Sequence, residues 1–209
     1  MRQRNHWEAV VAATADPDGT DRIVEAMRRR PRTDFLPAKK HREAGFNRPV
    51  QIGFGQTNSQ PSTVADMLRL LDVQPGQRVL DLGAGSGWTT AILADMVTDT
   101  GTVLGLELIS ALADRANDVL QRHDVPWASI ATAQRDILGA PEHAPFDRIL
   151  VSAEATHLPA ELVEQLTPDG VMVIAVSGEM LRVQRRGDNP ADAEITQHGA
   201  YRFVDLIVS

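Results

Sequence analysis

The chain has 209 residues, 43% of them hydrophobic, no cysteine and a formal net charge of −7. That length suits one α/β domain with a sizeable core. The lack of cysteine excludes disulfides, thiol nucleophiles and cysteine metal sites, and the acidic balance gives a nucleic-acid-binding role little support. His6, His41, His123, His143, His157 and His198 are scattered without ligand spacing, so no metal is expected. With no signal peptide and no apolar run long enough to cross a bilayer, a cytoplasmic location without a membrane partner is the default expectation. The basic cluster Arg28-Arg29-Arg30 with Arg32 reads as a solvated helix end whose cations face the C-terminal dipole.

In chain order, residues 1 to 30 read as helical, with Val10, Val11, Ile23, Val24 and Met27 at apolar positions and a break at Asp16-Pro17-Asp18-Gly19. Residues 45 to 61 are rich in Gly, Gln, Pro and Asn and have no clear period; an irregular stretch of that length in a compact domain is often functional. A regular alternation follows. Helices are expected over Ser62–Leu71, Thr89–Val97, Ile109–His123 and Pro159–Leu166. Strands are expected over Arg78–Leu82, Thr102–Glu107, Ala128–Ala133, Asp147–Ser152, Gly170–Val176, Leu181–Arg185 and Tyr201–Val208. Strands alternating with helices imply a mainly parallel, doubly wound sheet, and the last strands, lacking helical connections, are expected to pair antiparallel. The chain divides into an N-terminal helical segment and loop (1–61) and a core (62–209) within one compact domain.

The most informative stretch is Val79-Leu80-Asp81-Leu82-Gly83-Ala84-Gly85-Ser86-Gly87-Trp88, between a predicted strand and a predicted helix. That is where an open α/β sheet binds ligands. Trp88 occupies the place where a dinucleotide fingerprint has its third glycine, which argues against NAD. Asp81, at the strand end, could receive an ammonium group directly or through water. Glu107, twenty residues after Gly87 at the end of the next strand, could accept hydrogen bonds from ribose hydroxyls. Asp136 follows the third strand and could accept from an adenine amino group. Alone, Asp81 could be a helix cap and Glu107 a solvated strand end. Together, three carboxylates at successive strand ends and a glycine loop fit adenosine joined to an amino acid, which is S-adenosylmethionine. The expected fold is therefore α/β, a Rossmann-like methyltransferase.

Upstream, Ile52-Gly53-Phe54-Gly55-Gln56-Thr57-Asn58-Ser59-Gln60-Pro61 is rich in donors. Read from its residues alone, it is equally a polar loop ending in a helix cap at Ser59 or Ser62. The run resembles the IGxGQTxSQP signature of protein-L-isoaspartate O-methyltransferases. RRRPRTDFLP (28–37), VLDLGAGSGW (79–88), APFDRILVSAEA (144–155), LPAELVEQLTPDGVMVIAV (158–176) and YRFVDL (201–206) resemble further segments of that family, in the family's order.

The resemblance implies a catalytic or substrate-orienting Ser59 with Thr57 nearby, in a substrate loop that includes Gln56, Thr57, Asn58 and Ser59. It also implies cofactor binding through Asp81, Gly83, Gly85, Gly87, Glu107 and Asp136. The implied reaction is methyl transfer from S-adenosylmethionine to the free carboxylate of L-isoaspartyl or D-aspartyl residues in damaged proteins, the first step of repair. A side-chain carboxyl has a pKa of about 4, so the nucleophile is ionised at neutral pH and needs no general base. The sequence departs from the family at Arg135-Asp136-Ile137, where Gly-Asp-Gly is usual, at Val50-Gln51, where a Pro-Leu-Pro run is common, and at Glu154, in a stretch normally rich in alanine. A carboxylate at 154 would repel an anionic substrate unless it points away or is paired. These departures keep open a carboxyl methyltransferase of the same fold acting on another peptide, protein or small acid; a non-catalytic nucleoside-binding module is the reading from a different class.

Overall fold

The computed structural model describes residues 9–12 and 21–207. Residues 9–12 are helical, and the expected break at Asp16–Gly19 lies outside the described residues. Helix α1 (Arg22–Arg29) is capped by Asp21, whose carboxylate accepts from the Ile23 and Val24 N–H groups at 2.9 and 3.4 Å and pairs with Arg69. Helix α2 (Pro61–Leu71) begins on a proline, whose missing N–H costs nothing in a first turn. It buries Val64, Met67, Leu68 and Leu71, the stripe expected from the sequence. Helices α3 (Trp88–Val97), α4 (Ser110–Arg122) and α5 (Ala160–Glu164) follow.

Before the core, β1 (Val50–Gly53) and β2 (Gln56–Asn58) form an antiparallel hairpin. The central sheet contains β3 (Arg78–Leu82), β4 (Thr102–Glu107), β5 (Ala128–Thr132), β6 (Phe146–Ala155), β7 (Leu166–Val176), β8 (Glu179–Gln184) and β9 (Glu194–Ala200). Its spatial order is β5-β4-β3-β6-β7-β8-β9, parallel through β7 and antiparallel beyond it. The period of two divides the buried residues between the two faces. Val79, Leu150, Val171 and Val173 face the core built with α1, α2 and α3, whereas Leu80, Ile149, Val151, Met172 and Ile174 face a second core containing Leu162 of α5. The order of strands reverses at β3, with β4 on one side and β6 on the other, so the β3 loop opens into the crevice at the switch point. No helix among the described residues is long and apolar enough to cross a membrane, and no group of three or more candidate metal ligands occurs among them.

The sequence-based expectations need four corrections. The 45–61 stretch is not wholly irregular; it holds the β1–β2 hairpin, turned by Gly53, Phe54 and Gly55, all with positive φ. The expected Pro159–Leu166 helix is five residues long, and Leu166 already belongs to β7. The expected strand at Tyr201–Val208 is an extended strap held at one point by a parallel bridge between Asp205 and Glu154, and Val208 lies outside the described residues. The true last strand is Glu194–Ala200, exposed along its whole length, so no alternation of burial marked it in the sequence. Finally, the basic cluster is only partly solvated: Arg30 is held by Asp95 at 2.5 Å and by the His123 carbonyl at 2.7 Å, and Arg32 is fully buried.

Candidate active site

The site begins at the end of β3. The Gly83 and Ala84 N–H groups donate to the Leu106 carbonyl at 2.9 and 3.0 Å, which pins the glycine loop to β4. Gly83, Gly85 and Gly87 all have positive φ. They have different tasks. Gly83 and Gly85 line the main cavity. Gly87 does not; a Cβ there would sit 3.1 Å from Ala116 Cβ and from Ile130 Cδ1, so it lets α3 start close against α4 and β5.

Two carboxylates flank this loop. Glu107 is almost fully buried and reaches back over it, accepting from the Gly85 N–H through Oε2 and from the Ile109 N–H through Oε1, both at 2.9 Å. It lines the main cavity and retains lone pairs for a ligand. Asp81 is fully buried beneath the loop. Its Oδ2 accepts from the Thr89 and Thr90 hydroxyls at 2.9 and 2.6 Å, while Oδ1 has no hydrogen-bond partner. Burial pushes the Asp81 carboxyl up to about 6; the two threonine hydroxyls oppose that rise and the Glu107 charge adds to it. An unpartnered oxygen beside a second carboxylate is a place that favours a cation or a donor-bearing group.

The opposite wall is the hairpin, and a residue the sequence reading had assigned to solvent builds it. The Arg32 guanidinium donates to the side chain of Asn58 at 2.5 Å and to the carbonyls of Phe46, Arg48, Asn58 and Ser59 at 3.0, 2.9, 3.0 and 2.7 Å. It lies over the Trp88 ring at 5.6 Å. Burial lowers its pKa to about 9, the nearby Glu43 charge opposing that shift, so it stays a cation at neutral pH. Asn58 then donates to the Ser86 hydroxyl at 2.9 Å, which ties the hairpin to the glycine loop.

Three hollows open between these walls. The main cavity is bounded by Gly83, Gly85, Glu107, Gln134 and Ile137 and closed on the far side by the strap, Val204–Ile207. A smaller hollow runs from Thr57 and Ser59 to the glycine loop. A surface cleft lies between Ser59, Gln60 and Thr63 on one side and Ala200–Val204 on the other. Thr57 and Ser152 border all three, and Ser59 borders two. The structure thus brings together Gln56, Thr57, Ser59, Gly83, Gly85 and Glu107. Asn58 is buried and committed to Arg32 and Ser86, Asp81 supports the loop from below, and Gly87 packs behind it. Asp136 is exposed in the turn between Gln134 and Ile137, and it does not line the cavity although Ala133, Gln134, Ile137, Leu138 and Gly139 around it do. Glu154 lines none of the three hollows; its Oε2 accepts from the Phe203 N–H at 3.3 Å, and its backbone bonds Val204 and Leu206. Ser152 was missed, although its place in β6, one residue beyond that strand's last pair with β3, is where a ligand-facing residue is expected.

The family model for protein-L-isoaspartate(D-aspartate) O-methyltransferase matches residues 9–208. The chain is 44% identical over 188 residues to the protein-L-isoaspartate O-methyltransferase of Aeropyrum pernix, covering 89% of this chain and 72% of that protein. It is 40% identical over 190 residues to that of Methanopyrus kandleri, covering 90% of this chain and 84% of the relative. Among solved structures, a beta-aspartate methyltransferase (PCMT) from Plasmodium falciparum in complex with S-adenosyl-L-homocysteine superposes with a TM-score of 0.82 at 23% identity, covering 96% of this chain and 97% of that one.

Proposed function

Because the chain belongs to the protein-L-isoaspartate O-methyltransferase family, we infer that it is an S-adenosylmethionine-dependent enzyme that methylates the free carboxylate of isoaspartyl residues in proteins. The observation that carries the assignment of the site is the meeting of the three hollows at Thr57 and Ser152, with the glycine loop on one side and the surface cleft on the other. The residues present fit the cofactor. The unpartnered buried oxygen of Asp81 suits its ammonium, directly or through water, and Glu107 at the cavity wall suits its ribose hydroxyls. When bound, S-adenosylmethionine would supply an electrophilic methyl group, whose bond to sulfur breaks as a bond to a carboxylate oxygen forms, giving a methyl ester and S-adenosylhomocysteine.

The protein's own contribution is to bind, align and exclude water. The substrate carboxylate is ionised at neutral pH, so no side chain has to remove a proton. Ser59 and Thr57, on a hairpin fixed by Arg32, orient it across the junction. Well-aligned reactants gain on the order of 7–11 kcal/mol from positioning alone. The surface cleft accepts the flexible peptide chain on either side of the damaged residue. Glu154, the residue that had raised a second substrate class, is bonded to the strap and faces none of the hollows.

The test is base-labile incorporation of labelled methyl groups into an isoaspartyl peptide, with the normal aspartyl peptide as control. Transfer is expected to the first and not the second. Ser59→Ala is expected to lower kcat with little change in cofactor affinity. Equal transfer to both peptides would refute the substrate class, and a wild-type rate in Ser59→Ala would refute the role of Ser59.

A further inference from the structure

Ser152 stands in β6 one residue beyond that strand's last pair with β3, where the strand order reverses. It is half-buried, and its hydroxyl makes no hydrogen bond among the described residues. The glycine loop fixes its place from behind: a Cβ on Gly83 would lie 3.5 Å from the Ser152 carbonyl carbon and 3.7 Å from its Cβ. In front, it borders every one of the three hollows. Thr57 and Ser59, on the hairpin side of the same junction, also have hydroxyls without an internal partner.

Although Arg202 lines the surface cleft beside it, no lysine or arginine lines the smaller hollow between Thr57, Ser59 and Ser152. A carboxylate brought there must be held by neutral donors. That suits a nucleophile, because a tightly paired cation would stabilise the anion before reaction more than during it. A carboxylate has about four lone-pair sites on its two oxygens. Three hydroxyl donors would leave one free to attack.

We propose that Ser152 is that third donor, holding the substrate carboxylate from the sheet side while Thr57 and Ser59 hold it from the hairpin side, a role that rests on the isoaspartyl reading given above. It makes Ser152 a catalytic residue that discriminates a carboxylate from a neutral group of the same shape. The chemical class recognised is a free carboxylate.

The experiment compares wild type and Ser152→Ala in three measurements. These are kcat/KM on an isoaspartyl peptide, inhibition by the matching isoasparaginyl peptide, and the calorimetric Kd of S-adenosylhomocysteine. Ser152→Ala is expected to lower kcat/KM about tenfold or more, as for the loss of a hydrogen bond to a charged group. Inhibition by the neutral isoasparaginyl peptide and the Kd of S-adenosylhomocysteine should stay within about twofold, as neither loses a charge-assisted bond. An unchanged kcat/KM would overturn the proposal. So would an equal loss on the acidic and neutral peptides, which marks a structural role, or a matching loss of S-adenosylhomocysteine affinity, which places Ser152 in the cofactor site. If wild type itself fails to methylate the isoaspartyl peptide while binding S-adenosylhomocysteine, the substrate reading fails instead.

Discussion

Asp81 shows how a single residue couples the site to stability. Its two oxygens live differently, one held by Thr89 and Thr90 and one without a partner. The ordinary value for its carboxyl is 3.8, and burial raises it to about 6. Between those values the folded protein binds a proton that the unfolded chain does not, so this group contributes stability as pH falls and loses it as pH rises through about 6. In the ligand-free protein, Asp81→Asn is therefore expected to melt at a higher temperature than wild type near pH 8, with the gap narrower at pH 5. Cofactor affinity should run the other way, because an ammonium favours the ionised carboxylate: wild-type affinity weakens as pH falls through about 6, and Asp81→Asn binds weakly throughout. Thermal melts and titration calorimetry at both pH values check this; a stability gap equal at pH 5 and pH 8 would count against it.

At the scale of an element, the hairpin is short and cannot hold itself. Two strands of this size are marginal in water, and β1–β2 carries the added strain of Phe54 at positive φ. Arg32 supplies what the strands lack, by satisfying carbonyls from Phe46 to Ser59 with one buried cation. Replacing it leaves those acceptors buried and unpaired, each at roughly 1–3 kcal/mol. Arg32→Met is expected to destabilise the protein by several kcal/mol, on the order of 3–5. Activity should fall further than the folded fraction predicts, because Asn58 then loses its grip on both Arg32 and Ser86. Urea denaturation alongside activity at a temperature where the variant is folded checks it; a loss below about 1 kcal/mol contradicts the buried hub. Arg32 was visible in the sequence as one of a basic run and within a segment that resembles the family, neither of which showed its burial. Nothing in its neighbours shows that a chain segment more than ten residues away will wrap around it.

Across the whole molecule, the strap from Phe203 to Ile207 joins the two ends of the site. Val204–Ile207 close the main cavity, and Phe203 and Val204 also form part of the cleft wall. Phe203 leans on one core and Leu206 on the other, while Glu154 fixes the crossing point. Removing the chain beyond Arg202 is expected to leave the sheet's circular dichroism close to wild type. Affinity for S-adenosylhomocysteine should nevertheless fall more than tenfold and methyl transfer should be lost. Wild-type affinity in the truncated protein would show that the strap is not a wall of the site.

What the sequence determined by itself was what repeats locally. The apolar runs Val79–Leu82 and Met172–Val176, the helical stripe of Val64, Met67, Leu68 and Leu71, and the glycines after β3 mark elements without reference to distant residues. The GQTNSQP run marked the hairpin segment as a candidate site in the same way, through a resemblance carried by consecutive residues. The tertiary structure decided what depends on pairings far apart in the chain. It turned Glu154 to the strap, left Asp136 outside the cavity, buried Arg32 under a hairpin, and set Ser152 opposite Thr57 and Ser59. The places of Ser152 and Glu154 follow from the order of strands and the bulge in β6 between Val151 and Glu154. A one-residue slip reverses which face a side chain takes, and no local pattern in the sequence records it.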